Sequence, residues 1–322
     1  MDVSRSAQIR LTIGVGASAG GLAALKTFVR SLPTGAGFAV VVIQHLDPDS
    51  RSMLSELLDK HSVLPVLAAK DGQRLEADTV YVIPPDCYLS LNNGVIRLSQ
   101  PKARRGLRKT VDHFFVSLAE NCGARCAAIV MSGTGSDGTE GLAAVKVNGG
   151  LTIAQEPSSA EHASMPTSAI GAAVIDAVVP IEQMSELLEN FVKSSYSKAA
   201  FESSISAEVA GENLAGIVDI LRERENFDLG KYKPRTMQRR ITRRMNLTGT
   251  STYAAYLELL KNDAEERSAL TKDLLINVTD FFRDPEAFQI LESEILPAVL
   301  AGASDDRPIR VWVPGCASGE EA

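Results

Sequence analysis

Residues 11–21 read Leu-Thr-Ile-Gly-Val-Gly-Ala-Ser-Ala-Gly-Gly, an apolar run that breaks into a turn of small residues. FAVVVIQ (38–44), AAIVMSG (127–133) and LTIAQ (151–155) have the same character. Each is followed by a turn containing Gly or Asp and then by a stretch of helical periodicity. Short runs that are apolar on both faces and joined by helices belong to a parallel sheet covered on both sides. The expected fold of the first half is therefore α/β, three-layered, with a mostly parallel sheet. Between these runs, TVYVIPP, CYLSLNNG and VIRLS are expected to form an antiparallel extension, with Asn92-Asn93-Gly94 as its hairpin turn.

A chain of 322 residues is long enough for two or more units. With 45% hydrophobic and 23% charged residues it has the makings of a globular protein with a sizeable core. The net charge of -7 argues against a general nucleic-acid binder. No apolar stretch follows a basic lead at the start, and no run of about 18 apolar residues occurs, so neither a signal peptide nor membrane insertion is expected. A cytoplasmic location follows. Cys87, Cys122, Cys126 and Cys316 complete no zinc pattern and read as reduced packing residues, with no metal site.

After Ile181 a helix leads into SSYSKAAFESSISAEVAGE (194–212), composed like a linker or a mobile helix. From Leu214 to about Leu300 the pattern is helical throughout. IRVWVPGCASGEEA (309–322) then opens a strand-turn-helix unit that has no strand of its own to pair with. The expected division is residues 1–193, a linker at 194–211, a small all-α domain at 212–290, and the first strand of an incomplete Rossmann-like domain at 291–322.

Three polar residues follow three of the predicted strands: Ser18 after LTIGVG, His45 after FAVVVIQ, and Asp137 in SGTGSDGTEGL after AAIVMSG. In an open parallel sheet the loops after the strands' carboxyl ends converge on one edge. A serine, an imidazole and a carboxylate meeting there are the parts of an activated nucleophile. Gly16, Gly20 and Gly21 would let the chain turn sharply and leave Ser18 at a helix N-terminus. Amides there, around Ala19 and Gly20, together with those near Thr134 and Gly135, would stabilise an oxyanion. A competing reading is a dinucleotide site, since Gly14 to Ala19 fits G-x-G-x-x-A. That reading expects an acid at the end of the second strand, where Gln44-His45 stands instead, and it leaves Asp137 without a role.

GVGASAGG, VVIQHL, MSGTGSDGTEGL and TIAQEPSSAEHASMPTSAI resemble, in order and spacing, the catalytic domain of chemotaxis-type protein-glutamate methylesterases. The resemblance runs from about Ile13 to Leu188. It implies Ser18 as nucleophile, His45 as base, Asp137 as the partner of His45, and Met165 and Pro166 near the substrate. The implied reaction is hydrolysis of glutamyl methyl esters on chemoreceptors through an acyl-enzyme, with no cofactor, and the family also deamidates certain receptor glutamines. Ala19 stands where a Thr often follows the nucleophile, and Thr134 where a Met often lies beside the oxyanion site. These departures keep open a catalytically silent receptor-docking module. His61 reads as structural, His113 as packing or capping, and His162 as lying in a loop near the active edge.

In KPRTMQRRITRRM a helix puts Met237, Ile241 and Met245 on one side. Arg235, Arg239 and Arg243 fall nearly opposite, flanked by Arg240 and Arg244, which suggests one packing face and one basic face for an acidic partner. This segment, with LLINVTDFFRDPEAF and the final fourteen residues, resembles chemoreceptor glutamate methyltransferases. The resemblance implies that the basic helix faces the acidic methylation region of methyl-accepting chemoreceptors. It also implies S-adenosylmethionine contacts at Asn277, Thr279, Arg283 and Glu320, with Gly315 and Gly319 making the turn. The rest of that cofactor fold is absent from the sequence, so methyl transfer is expected only from a longer chain. The whole resembles the N-terminal part of a methylesterase-methyltransferase fusion.

Overall fold

The computed structural model describes residues 8–44, 53–100, 108–202, 207–225, 234–250, 252–275 and 290–297. The opening stretch forms strand β1 (Leu11–Ala17), buried at every position, and helix α1 (Gly21–Ser31). Next come β2 (Phe38–Gln44), α2 (Leu54–Asp59), β3 (Val66–Ala68) and β4 (Thr79–Val82). A hairpin, β5 (Tyr88–Asn92) and β6 (Val95–Ser99), precedes α3 (Thr110–Cys122). Then follow β7 (Cys126–Val130), α4 (Thr139–Val147), β8 (Leu151–Gln155), α5 (Ser164–Gly171) and β9 (Ala177–Val179).

Seven strands form one parallel sheet in the order β3-β4-β2-β1-β7-β8-β9. Strand β1 lies at its centre, so its carboxyl end is flanked by those of β2 and β7. One expectation is corrected here. TVYV pairs in parallel with β2 and β3, and the antiparallel pair is β5 with β6, in a separate two-stranded sheet. All four TVYV positions are buried, as in a strand covered on both faces. The hairpin turn falls as expected, with Asn93 and Gly94 both at positive φ, the twist that a two-residue hairpin needs. The three-residue edge strands β3 and β9 are too short to show in the sequence pattern.

Alternate residues of β1 serve two cores. Ile13 and Val15 point into a layer with Leu25, Phe28, Met184 and Leu188. On the other face Gly14 and Gly16 leave room for α3. A Cβ on Gly14 would lie 2.8 Å from both Phe114 and Phe115, and one on Gly16 would lie 2.4 Å from Val111. The G-x-G spacing is thus accounted for by close helix-on-strand packing inside the sheet.

Helix α6 (Ile181–Glu202) runs through much of the stretch expected as a linker. It is followed by α7 (Ala207–Glu225), α8 (Pro234–Leu247), α9 (Tyr253–Asn262) and α10 (Ala264–Leu275). Met237, Ile241 and Met245 of α8 form the expected packing stripe, against Ile217, Leu221, Tyr256, Leu260, Leu270 and Leu274. By contacts the chain divides into Met1–Ile276, which holds both sheets and the ten α-helices found among the described residues, and Asn277–Ala322. In the second unit the described residues carry a π-helical turn, Leu291–Ile295. The strand expected at 309–313 lies outside the described residues. Among the described residues no helix is long and apolar enough to cross a membrane.

Candidate active site

Ser18 occupies the first position after β1, where its amide donates to the carbonyl of Ser132 at 3.0 Å and its own carbonyl accepts from Gly21 N at 3.0 Å. The turn is closed by Gly20, whose φ of 70° is left-handed and whose missing Cβ would collide with Glu161. Helix α1 starts immediately after, so the positive end of its dipole lies beside the Ser18 turn. The turn opens into a cleft of about 490 Å³ lined by Ser18 to Ala23 together with Lys26, Gln44 and Glu161.

A second loop braces this turn. Ser132, buried just past β7, donates its hydroxyl to the Ala19 carbonyl at 3.0 Å and accepts from His162 N at 3.0 Å. Its amide donates to Gln155 Oε1 at 2.9 Å. Gly133 N donates to the His162 carbonyl, and Met165 N donates to the Gly133 carbonyl. A Cβ on Gly133 would lie 2.0 Å from Met165 Sδ and 3.0 Å from Ser18 Cβ. Ser18, Gly133 and Met165 are therefore in contact, and only glycine fits between the other two. Pro166 is buried on α5, whereas Thr134 and Gly135 are exposed, with Gly135 at a φ of 84°.

Asp137 is held by the start of α3. Val111 N donates to its Oδ2 at 3.0 Å and Asp112 N to its Oδ1 at 2.9 Å. A carboxylate in this position caps two unpaired helix amides and meets the positive end of the dipole. Val111 reaches both the Gly16 end of β1 and Gly138, so one side chain spaces the Asp137 turn from β1. His45 lies outside the described residues. Gln44, immediately before it, ends β2 in register with Ala17 and lines the cleft.

Sequence reasoning passed over Asp112. Its carboxyl is buried, accepts from Gly141 N at 2.8 Å, and is raised to about 7. Burial is the main cause, and the charges of Asp137 and Glu140 add to it against the Gly141 bond. TVDHFF gave only a helix start as a signal. Ser132, Gln155, Glu161 and Lys26 were likewise missed. His113 stacks on Tyr88 with ring centroids 4.7 Å apart, a packing role. His61 lies just past α2, its Nδ1 3.3 Å from Arg30 Nη2. His162 stands beside Glu161 at 3.8 Å.

The basic face of α8 differs from its expected exposure. Arg243 is 3% exposed and pairs with Asp176 and Asp273. Arg240 is buried, with Nη1 donating to the Leu274 carbonyl at 2.8 Å, and Arg244 pairs with Glu266. The acidic groups that meet these arginines come from elements remote in sequence, which helical periodicity cannot register. Arg235 and Arg239 belong to α8, but their side chains are not among those described. Asn277, Thr279, Arg283, Gly315, Gly319 and Glu320 also lie outside the described residues. Among the described residues no group of His, Cys, Asp and Glu could hold a metal ion.

The profile of the CheB methylesterase family matches residues 13–188, more than half of the chain. The chain belongs to the CheB methylesterase family. The crystal structure of the Thermotoga maritima CheB methylesterase catalytic domain superposes with a TM-score of 0.52 at 31% identity, covering 56% of this chain and 97% of that one. A putative protein-glutamate methylesterase/protein-glutamine glutaminase of Leptospira interrogans is 33% identical over 176 residues, 54% of this chain and 91% of the relative. Beyond the CheB methylesterase region, residues 212–275 match the CheR methyltransferase all-alpha domain and residues 277–322 the CheR SAM-binding domain. An uncharacterized 104.1 kDa protein of Rhodobacter capsulatus is 38% identical over 290 residues, 84% of this chain. The chain spans 30% of that protein and 49% of a group 3 operon methylesterase/glutaminase of Rhizobium meliloti.

Proposed function

We propose that residues 13–188 hydrolyse glutamyl methyl esters on methyl-accepting chemoreceptors in the cytoplasm, with Ser18, His45 and Asp137 as a catalytic triad. The observation that carries this reading is the setting of Ser18, on a tight strand-to-helix turn that opens into a cleft and packs against Gly133. Ser18 Oγ attacks the ester carbonyl while His45 takes its proton. Amides at the start of α1 and in the Gly133–Gly135 loop stabilise the oxyanion. The tetrahedral intermediate expels methoxide, which leaves as methanol with the proton from His45. Water, deprotonated by His45, then attacks the acyl-enzyme, releasing glutamate and restoring Ser18. Asp137 orients His45 and stabilises its cation, and its own position is set by the two α3 amides. The same steps with ammonia as leaving group deamidate glutamine, and neither needs a cofactor.

In this reading the helices of 212–275 bring the chain to the acidic methylation region of the same receptors, through the arginines of α8. Residues 277–322 supply the opening of an S-adenosylmethionine site, with Asn277, Thr279, Arg283, Gly315, Gly319 and Glu320 as its contacts. A longer chain would then both add and remove methyl groups. Methanol release from methylated receptor tests the esterase part. Ser18→Ala and His45→Ala should each reduce it by roughly 10⁴-fold or more. Release unchanged in Ser18→Ala would refute the assignment. No release from the folded parent would leave a docking module.

A further inference from the structure

Helix α8 meets the α/β layers at a buried cluster of four charges. Arg243 pairs with Asp176, in the turn between α5 and β9, and with Asp273 of α10. Its Nε donates to the Gly150 carbonyl at 3.1 Å. Lys146 of α4 places Nζ 3.1 Å from Asp176 Oδ1 and 3.3 Å from Asp273 Oδ1. All four side chains are at most 7% exposed, and the cavity left at the junction is about 10 Å³. Burial lowers Lys146 to about 8 and Arg243 to about 10, with Asp273 opposing both shifts. The cluster therefore sets two basic side chains against two acidic ones.

The cluster divides evenly between its two sides. Lys146 and Asp176 belong to the α/β layers, and Arg243 and Asp273 to the helical layer. Parting the layers would leave one ion pair on each side and strand no charge. The main cost of breaking a buried ion pair is the uncompensated charge left behind, and parting these layers avoids it. Arg243 thus pairs with Asp273 within the helical layer and with Asp176 across the boundary. Leu247, at the end of α8, adds apolar contact with the core on the α/β side.

We infer that this cluster is a latch, and that Asp176 competes with an acidic helical partner for Arg243 of α8. The inference rests on the docking role proposed above for that helix. With the latch closed, all three guanidinium nitrogens of Arg243 face groups of the chain itself. An external carboxylate reaches Arg243 only when α8 lifts off the α/β layers. The partner's apparent affinity is then reduced by the fraction of molecules that are closed.

The test uses the whole chain and a synthetic glutamate-rich helical peptide as probe. Asp176→Asn keeps an oxygen to accept from Thr152 N, which Asp176 Oδ2 accepts at 2.9 Å, while removing the charge that holds Arg243. Expected are faster hydrogen exchange in α8 and peptide binding about tenfold tighter than in the parent, as a shift of the closed population requires. Leu247→Ala, which leaves every charge in place, should move both readouts in the same direction. Unchanged exchange and affinity in both folded variants would overturn the inference. Faster exchange with no gain in peptide binding would overturn it too, by showing that opening exposes no docking surface. Methanol release is measured in parallel, so a failure of the esterase reading registers separately.

Discussion

Replacing Asp112 by Asn should make the protein more stable at pH 8 than at pH 5, relative to the parent. The carboxyl of Asp112 is buried, and one oxygen accepts from Gly141 N while the other has no hydrogen-bond partner among the described residues. Asp137, whose Oδ1 accepts from the Asp112 amide, and Glu140 add negative charge nearby. The folded carboxyl titrates at about 7 against an ordinary 3.8, so the folded state holds the proton more tightly than the unfolded chain. The stability from that proton is fully present below pH 3.8 and is lost as pH rises through 7. Between pH 5 and pH 8 the loss covers the two units from 5 to 7, about 3 kcal/mol at 1.36 kcal/mol per unit. Asn keeps an acceptor for Gly141 N and carries no charge, so it escapes the loss. Urea unfolding of both proteins at the two pH values gives the comparison. The difference between variant and parent should grow by about 2–3 kcal/mol from pH 5 to pH 8. Parallel pH dependences would refute the reasoning and mean that Asp112 is ionised in the folded protein at pH 5.

Ser132→Ala removes the hydroxyl that binds the Ala19 carbonyl and the His162 amide, and should cost about 1–3 kcal/mol in urea unfolding. Ester hydrolysis should fall as well, because the turn after Ser18 loses its brace, and full activity would count against that role. Gly133→Ala inserts a methyl where Met165 and Ser18 already meet, costing about 1–3 kcal/mol. The double variant Gly133→Ala/Met165→Ala should recover part of that stability. Additive losses would show that Met165 is not the neighbour that matters.

How much of this was legible in the sequence depended on how local the signal was. The turn around Ser18 and the hairpin at Asn93-Gly94 are short-range features, set by strand period and by residues that tolerate positive φ. TVYV reads the same whether it pairs in parallel or antiparallel, since its pairing partners lie elsewhere in the chain. Asp112 gave no sign of its environment, because its perturbing neighbours Asp137, Glu140 and Gly141 arrive from the far side of β7.

The sequence alone determined the order of the layers, the strand-end positions of Ser18 and Asp137, and the apolar stripe Met237-Ile241-Met245. All of these follow from periodicity and glycine placement over a few residues. Only the tertiary structure decided that Gly14 and Gly16 serve the approach of α3, and that the arginines of α8 meet acids within the chain. Steric room and the fate of a charge depend on what lies within a few ångströms. For these residues that neighbour is supplied by another element, such as Asp176 beside Arg243.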